Sequence, residues 1–409
     1  MPHHTDLIAT IAIGLSAAFV GGLIAQRLRL PLIVGYLLAG MAVGPFTPGF
    51  VADSELAPQL AEIGVILLMF GVGIHFSIAD LLSVRRIALP GAIAQASVAT
   101  GLGIAVTWWW GWSLGAGIVL GLSLAVASTV VLLRALAEEG LMESDSGRVA
   151  VGWLIVEDLV MVVTLVLLPA LTVPLGGIAL SDASEGNLAW TLAITFGKLV
   201  LFVALMLIAG VRLIPWLLLR VERTGSRELF ILATLAIALG IAYGAADLFG
   251  VSFALGAFLA GVVVNESELS HRAAEEALPL RDAFAVLFFV SVGMLIDPSV
   301  LLDEPLRLLA VVAIVIVGKS LAALLIVRVL RGPLRTGLVV AAGLSQIGEF
   351  SFILIEMGRT LELLPDEGRD LILVAAVISI TLNPLLFRAI TPIEAWLTDR
   401  RPSNVTSDA

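Results

Sequence analysis

Apolar runs of about 20 residues recur along the whole 409-residue chain. Each run is long enough to cross roughly 30 Å of hydrocarbon as a helix. The composition agrees, since 59% of the residues are hydrophobic, 14% are charged and the mean hydropathy is +1.08. A soluble domain of this length is far less apolar. We therefore predict an all-α polytopic membrane protein.

The hydropathy pattern predicts about thirteen transmembrane helices, of which the second and the ninth are short. They are 7–26, 31–44, 59–76, 87–108, 114–133, 149–171, 188–211, 229–248, 251–264, 280–296, 308–327, 336–358 and 371–387. An odd number of spans puts the termini on opposite sides of the membrane. Eighteen arginines follow odd-numbered spans or lie in the C-terminal tail, against three in the opposite loops. The positive-inside rule then predicts an outside N-terminus and a cytoplasmic C-terminus.

Two neighbouring motifs recur at nearly one offset, which indicates an internal repeat. Gly35–Gly40 resembles Gly256–Gly261, and Val65–Ile74 resembles Ala285–Met294, at offsets of 221 and 220 residues. The paired spans are seven apart, so the two copies have opposite orientation. Inverted repeats with a site at their interface are typical of secondary transporters. Small residues at this spacing also arise for helix packing alone.

The repeat predicts the organisation of the chain. Residues 1–390 are predicted to form one transmembrane domain, with inverted repeats at about 7–171 and 227–390 and a linker helix at 188–211. Residues 391–409 are predicted to be a polar cytoplasmic tail.

Glu157 and Asp158 lie side by side in the middle of the sixth apolar span. A charge at that depth is energetically expensive and marks a functional site by default. A carboxylate held away from water can exchange a proton near neutral pH, and its hard oxygens can also bind an alkali cation. Because helix neighbours point about 100° apart, we expect one acid to line the ion path and the other to meet a partner. A purely structural ion pair is the alternative.

Lys319 interrupts the eleventh apolar span in the same way. It is either the ion-pair partner of the acids or part of the proton pathway, and the sequence leaves both roles open.

Polar residues also fall at mid-membrane in the fifth and twelfth spans, which are mates in the repeat. Ser128 and Thr129 lie in the fifth, and Ser345, Gln346 and Glu349 in the twelfth. Irregular backbone at this depth is tolerated only where it is buried in protein or lines a cavity. We expect breaks there, with Glu349 balancing the positive ends of half-helices. We predict that Ser128 and Thr129 belong to the ion- and proton-binding set with Glu157 and Asp158, and a bond back to a helix carbonyl is the alternative.

Several classes of function are disfavoured. The chain has no cysteine, its four histidines have no ligand spacing, and no nucleophile–base constellation is present, so neither an enzyme nor a transition-metal site is predicted. The net charge of −10 gives no reason to expect nucleic acid as a partner. No cofactor is predicted in this chain; the expected partners are the transported ions, H⁺ and membrane lipids.

Four stretches together resemble Kef-type potassium:proton antiporters, in particular their YbaL-like branch. They are Val156–Leu159, Asn265–Glu268, Leu287–Met294 and Gln346–Phe350. The resemblance covers nearly the whole chain and implies a homodimer of thirteen-helix subunits in the bacterial inner membrane. It further implies a mobile core domain and broken fifth and twelfth helices, as in sodium:proton antiporters.

The resemblance also implies site residues. Asp158 matches the ion-binding aspartate and Lys319 the lysine of the core, while Ser128, Thr129, Gln346 and Glu349 lie at the helix crossing. Glu157 departs from the Gln of Kef proteins and resembles the paired acids of electrogenic sodium:proton antiporters. The regulatory nucleotide-binding domain of full-length relatives has no counterpart before Ala409, which suggests a truncated or membrane-only form.

The sequence therefore predicts an antiporter that exchanges a monovalent cation, K⁺ by preference, for H⁺ by alternating access. In this hypothesis Asp158 binds cation and proton in competition. A Na⁺/H⁺ antiporter of the same fold and a gated cation channel are the alternatives. The channel is disfavoured because the chain contains no filter-like loop of carbonyls and because an inverted repeat favours alternating access.

Overall fold

The computed structural model describes residues 6–47, 56–74, 78–178 and 188–399, and every regular element among them is helical. The helices are α1 (Asp6–Arg27), α2 (Leu32–Ala42), α3 (Leu56–Ile74), α4 (Ile78–Trp109), α5 (Leu114–Ala125), α6 (Thr129–Glu138), α7 (Asp145–Leu171), α8 (Leu188–Leu205), α9 (Val211–Glu222), α10 (Arg227–Phe249), α11 (Phe253–Asn265), α12 (Ser270–Met294), α13 (Val300–Asp303), α14 (Pro305–Ala313), α15 (Lys319–Val329), α16 (Leu334–Leu344), α17 (Glu349–Thr360) and α18 (Asp366–Asp399). Short π-helical turns, Met206–Gly210 and Ile314–Gly318, join α8 to α9 and α14 to α15. The predicted all-α class is confirmed.

Each of the thirteen predicted spans contains helix. In the described part of the chain, eight helices are long and apolar enough to cross a membrane, or up to ten if each of two bent pairs is one span. Three shorter apolar helices correspond to the second, third and ninth predicted spans: Leu32–Ala42, Gln59–Ile74 and Phe253–Asn265. The last helix runs on to Asp399, into the segment for which the sequence predicts a polar tail.

The chain divides into two compact units, and each combines segments from both halves of the sequence. Unit 1 comprises Met1–Ile78, Val160–Asp303 and Glu356–Val374. Unit 2 comprises Ala79–Leu159, Glu304–Ile355 and Ala375–Ala409. The two predicted repeats are thus interleaved in space.

In unit 1, the repeated motifs pack against each other through glycines. A Cβ on Gly40 of α2 would lie 2.0 Å from the carbonyl oxygen of Val290 and 2.9 Å from the Cα of Gly293 on α12. Such distances are possible only for glycine, whose missing side chain lets two helix backbones touch.

The mate contact in unit 1 is built in the same way. A Cβ on Gly261 of α11 would lie 2.2 Å from the carbonyl oxygen of Phe70 and 2.9 Å from the Cα of Gly73 on α3. The offsets of 221 and 220 residues convert the first contact into the second with the partners exchanged. A pseudo-two-fold axis relating two copies of one motif gives this reciprocal pattern.

Unit 2 contains two interrupted helices. The first break, residues 126–128, separates α5 from α6, and the second, residues 345–348, separates α16 from α17. We call these two breaks together the crossing. Val126 is extended, with φ −87° and ψ 141°, and the Ser128 hydroxyl accepts a hydrogen bond from the Val131 backbone N–H to begin α6. The second pair bends by 47°. The predicted broken helices are confirmed.

Candidate functional site

Direct backbone contact holds the two breaks together. The backbone N–H of Gly348 donates to the carbonyl oxygen of Val126 at 3.2 Å. A Cβ on Gly348 would lie 2.5 Å from the carbonyl carbon of Ala127 and 2.8 Å from the backbone nitrogen of Ser128. Only glycine permits this approach, so the two breaks can come this close only because residue 348 has no side chain.

The side chain of Gln346 completes the junction. Its Oε1 accepts from the Ser128 backbone N–H at 2.9 Å, and its Nε2 donates to the Ser128 carbonyl oxygen at 3.1 Å. Gln346 is fully buried. One amide therefore satisfies both backbone groups of a residue that lies outside any helix, as burial of irregular backbone requires.

Lys319, the first residue of α15, points its ammonium group at the crossing. Its Nζ donates to the carbonyl oxygens of Gln346 at 3.1 Å and of Val126 at 3.4 Å, and the side chain is 1% exposed. Both carbonyls follow the C-terminal ends of half-helices, where the helix dipole favours a cation. Among the described residues no carboxylate lies within 4.0 Å of the ammonium, so these carbonyls are its direct partners.

The two acids of α7 bind at the first break, one to a residue within it and the other to the first residue of α6. Glu157 Oε2 accepts from the Ala127 backbone N–H at 3.1 Å, and Asp158 Oδ2 accepts from the Thr129 hydroxyl at 3.1 Å. They are 2% and 4% exposed. The sequence prediction assigned one acid to the path and the other to a partner. Here both acids have a partner at the first break, since Glu157 binds Ala127 within it and Asp158 binds Thr129 directly after it.

Four carboxylate oxygens at this site have no hydrogen-bond partner within the described ranges. They are Glu157 Oε1, Asp158 Oδ1 and both side-chain oxygens of Glu349. Glu349 opens α17, is 2% exposed, and lies close enough to Asp158 for their charges to interact. Oxygens in a buried site need a proton, water or a cation. This arrangement is chemically suited to exchange one of these for another.

The site is electrostatically matched to the helix ends. The second half-helices are α6 and α17. Helix α6 begins at Thr129, which binds Asp158, and α17 begins at Glu349. The C-terminal ends of the first half-helices are followed by the carbonyls that bind Lys319. Acids near helix N-termini and a base near C-termini both complement the macrodipole, which stabilises these charges in their buried positions.

Two further buried amides bind the first half-helices, and neither was selected from the sequence. Gln95 of α4 donates from Nε2 to the carbonyl oxygen of Ala125 at 3.2 Å. Asn383 of α18 donates from Nδ2 to the carbonyl oxygen of Ala342 at 2.8 Å. Both amides are fully buried, and Gln95 Oε1 and Asn383 Oδ1 have no partner among the described atoms. The signal that could have found them is an amide in the middle of an apolar span.

The predicted hydroxyl residues divide by role. Thr129 contacts Asp158, whereas the Ser128 hydroxyl caps α6 through the Val131 N–H at 3.3 Å. The Ser345 hydroxyl bonds the Ala341 carbonyl at 2.5 Å and also contacts the hydroxyl of Ser320. The hydroxyls of Ser128 and Ser345 therefore each bond to helix backbone.

Within the described ranges, no three acidic or histidine side chains converge closely enough to form a metal cage. Binding of a weakly held monovalent ion at Asp158 does not need such a cage, because carbonyl and hydroxyl oxygens at the crossing can complete the ligand set.

Three comparisons bear on the family. The family model described as "Sodium/hydrogen exchanger, transmembrane" matches residues 14–391. An Escherichia coli (strain K12) protein named "Putative cation/proton antiporter YbaL" is 60% identical over 387 residues, which cover 95% of this chain and 69% of that protein. "K(+) efflux antiporter 4" of Arabidopsis thaliana is 33% identical over 389 residues, covering 95% of this chain and 64% of the plant protein.

The fold has a solved counterpart. The sodium proton antiporter MjNhaP1 of Methanocaldococcus jannaschii superposes with a TM-score of 0.65 at 18% identity, covering 96% of this chain and 99% of that one. At this identity the likeness concerns the fold alone. The match of the family model over residues 14–391 shows that this multi-pass membrane protein belongs to the sodium/hydrogen exchanger family.

Proposed function

We propose that the chain exchanges a monovalent cation, K⁺ by preference, for H⁺ across the bacterial inner membrane by alternating access, with Asp158 binding cation and proton in turn. The family is one of cation/proton antiporters, so the chain is a transporter and not an enzyme. The identity of the cation, the residue that binds it and the order in which cation and proton bind are proposals.

A single observation carries the assignment to Asp158. One of its oxygens accepts from Thr129, and the other has no hydrogen-bond partner in the described ranges although the residue is 4% exposed. A neutral carboxyl needs one proton, and a charged one needs a cation or donors. Both ligands neutralise the same oxygen, so they exclude each other. Mutual exclusion at one group is sufficient to couple the movement of the two ions.

Five residues around Asp158 have supporting roles in this proposal. Glu157 and Thr129 belong to the ion-binding set, and Lys319 holds the crossing while supplying positive charge nearby. Gln346 and Glu349 support the broken helices from the second break. When cation and proton are absent, the half-helix ends and Lys319 stabilise the charged carboxylates.

The preference for K⁺ rests on the relatives. Two plant relatives are named K⁺ efflux antiporters, at 33% and 32% identity over 95% of this chain. Na⁺ is the second candidate, because Glu157 adds an acid beside Asp158 and the solved protein of the same fold is named a sodium proton antiporter. Because Glu157 is a second titratable acid, a stoichiometry of more than one proton per cation is chemically feasible.

The proposal includes assembly and orientation. The chain is proposed to act as a homodimer with the N-terminus outside and the C-terminus in the cytoplasm, as the distribution of arginines predicts. The chain spans 69% and 64% of the lengths of the bacterial and plant relatives, and a cytoplasmic regulatory domain is proposed for the remainder of such relatives.

The experiment is proton flux in proteoliposomes, driven by K⁺, Na⁺, Rb⁺ or Li⁺ in turn, with the membrane voltage clamped or free. For the parent chain, K⁺ is expected to drive proton counter-movement. Asp158→Asn keeps the shape and the bond to Thr129 but removes the charge, and we expect at least about a 100-fold loss of exchange.

The matched control is Asp145→Asn, which changes an acid with a 98% exposed side chain on the same helix. It should exchange at the parental rate. Parental exchange by Asp158→Asn would refute the assignment of Asp158. Cation flux without proton counter-movement would replace the antiporter with a channel.

A further inference from the structure

A long apolar groove lies between α1 and α2 of unit 1. The cavity has a volume of about 540 Å³. Its walls are side chains such as Ile13, Val20 and Ile24 on α1, and Val34, Leu38 and Ala42 on α2. The hydroxyl of Ser16, the one polar side chain in the lining, donates to the Ala12 carbonyl at 2.7 Å and offers the groove no free donor.

The groove has the length of a lipid chain. From Ile13 it follows α1 to Leu28, just beyond the helix end, a distance of about 22 Å at 1.5 Å per residue. One leaflet of hydrocarbon is about 15 Å thick, half of a typical bilayer core. An extended acyl chain entering from the Leu28 end therefore fits within the groove.

Two arginines lie at the Leu28 end of the groove. Arg27 closes α1 and Arg29 lies in the turn to α2, alternating with Leu28 and Leu30, which both line the groove. Arg29 has a φ of +57°, and its backbone N–H donates to the Gln26 carbonyl at 3.1 Å. This left-handed conformation is uncommon outside glycine and asparagine, and here it makes a fixed turn between the two helices.

Both arginine side chains are exposed, and neither pairs with a carboxylate in the part of the chain that the structure describes. A guanidinium binds phosphate oxygens through two parallel hydrogen bonds. Arginines placed where a helix leaves the membrane attract anionic headgroups. An apolar slot that ends in two uncommitted guanidinium groups complements an anionic lipid, with its acyl chain in the slot and its phosphate at the end.

We propose that the α1–α2 groove is a binding site for an anionic phospholipid, with an acyl chain along α1 and the phosphate held by Arg27 and Arg29. The site is separate from Asp158 and does not depend on which ions the chain exchanges. It would stabilise unit 1 in membranes that contain such lipids.

The test measures thermal unfolding of the purified, detergent-solubilised protein with increasing phosphatidylglycerol, phosphatidylcholine of the same chains, or glycerol phosphate. Phosphatidylglycerol should raise the melting temperature by several degrees and more than phosphatidylcholine, while glycerol phosphate should have no effect. The double variant Arg27→Gln/Arg29→Gln should need at least tenfold more phosphatidylglycerol for the same increase.

The matched control is Arg85→Gln/Arg86→Gln, a second pair of exposed arginines that no part of this groove contacts. It should respond like the parent. Ala17→Phe, which fills the groove, should abolish the increase from phosphatidylglycerol, whereas Ala12→Phe on the same helix outside the lining should not.

Three results would overturn the proposal. An unchanged response in Arg27→Gln/Arg29→Gln would mean that the headgroup is not held there. An equal effect of glycerol phosphate would identify a plain anion site. If Ala17→Phe alters the monomer–dimer ratio and leaves the lipid response intact, the groove is a contact with a second copy of the chain.

Discussion

The two compact units use the same repeat but stabilise it differently. In unit 1, glycines bring helix backbones into contact, as at Gly40 against Gly293 and at Gly261 against Gly73. In unit 2, polar side chains cross-link interrupted helices, as Gln346 does for Ser128 and Lys319 for two carbonyls. Contacts between backbones involve no group that can change its charge. The crossing, in contrast, is bordered by the carboxyl groups of Glu157, Asp158 and Glu349, which can bind or release a proton or a cation.

This difference indicates where change can occur. Glycine contacts depend on shape alone, and the interior resists even small changes of volume. Beside the crossing, Glu157, Asp158 and Glu349 have carboxylate oxygens with no hydrogen-bond partner in the described ranges, and binding of a proton or a cation would satisfy them. The unit with satisfied backbone packing is therefore suited to be a scaffold, and the unit with unsatisfied oxygens to be the site.

The largest effect should come from breaking the scaffold. In Gly261→Val the new Cβ would lie 2.2 Å from the Phe70 carbonyl oxygen, so α3 and α11 must separate. We expect a loss of at least about 3 kcal/mol in stability and little folded protein. Gly244→Val, on α10 with nothing within 4 Å of the new Cβ, is the control and should fold normally. Fluorescence-detected size-exclusion chromatography with a melting series measures both.

Removing the ammonium from the crossing should rank second. Lys319→Met leaves the Gln346 carbonyl without the ammonium and the Val126 carbonyl with only the Gly348 N–H, and we expect about 3 kcal/mol of destabilisation together with loss of exchange. Lys198→Met changes the other lysine of the chain, which is exposed on α8, and should behave like the parent. Equal melting temperatures of Lys319→Met and the parent would show that the ammonium does not hold the breaks together.

The two amides at the first half-helices give a sharper comparison. Asn383→Leu and Gln95→Leu each leave one helix-end carbonyl without its side-chain donor, at Ala342 and Ala125 respectively. Each should cost about 1–2 kcal/mol of stability, and the bond at 2.8 Å should matter more than the bond at 3.2 Å. Chemical denaturation in detergent tests the order. A larger loss in Gln95→Leu would contradict it.

The smallest effect should come from the hydroxyl beside Asp158. Thr129→Val keeps the volume and removes one hydrogen bond at 3.1 Å to the carboxylate. That bond stabilises the charged form that binds a cation, and a loss of about 1.4 kcal/mol corresponds to a tenfold change. We therefore expect up to about tenfold weaker apparent cation affinity with near-parental stability. Thr129→Ser should restore the affinity, and an unchanged affinity in Thr129→Val would remove Thr129 from the site.

The sequence predicts the helical elements better than their ends. Hydropathy begins the fourth span at residue 87 because Arg85 and Arg86 precede it, yet α4 begins at Ile78. Arginine is a good helix former, so a helix readily continues beyond the apolar segment that identifies it. The same holds at the other terminus, where α18 continues to Asp399.

The candidate site was predictable as a set of residues but not as a set of contacts. Isolated polar residues at membrane depth identified Asp158, Lys319 and Gln346. Which atoms they bind depends on how two breaks, more than 200 residues apart, approach each other, and no local pattern contains that information. Gln95 and Asn383 are amides in apolar spans like Gln346, but they lie outside the motifs from which the site was predicted.

The central claim is that cation and proton compete for Asp158. The most direct measurement is equilibrium binding of radioactive Rb⁺ or K⁺ to the purified protein over a range of pH, for the parent and for Asp158→Asn. Competition predicts that the apparent Kd rises tenfold for each unit of pH decrease on the acid side of the titration, and that Asp158→Asn binds no cation. Cation binding that is independent of pH, or that survives in Asp158→Asn, would contradict the claim.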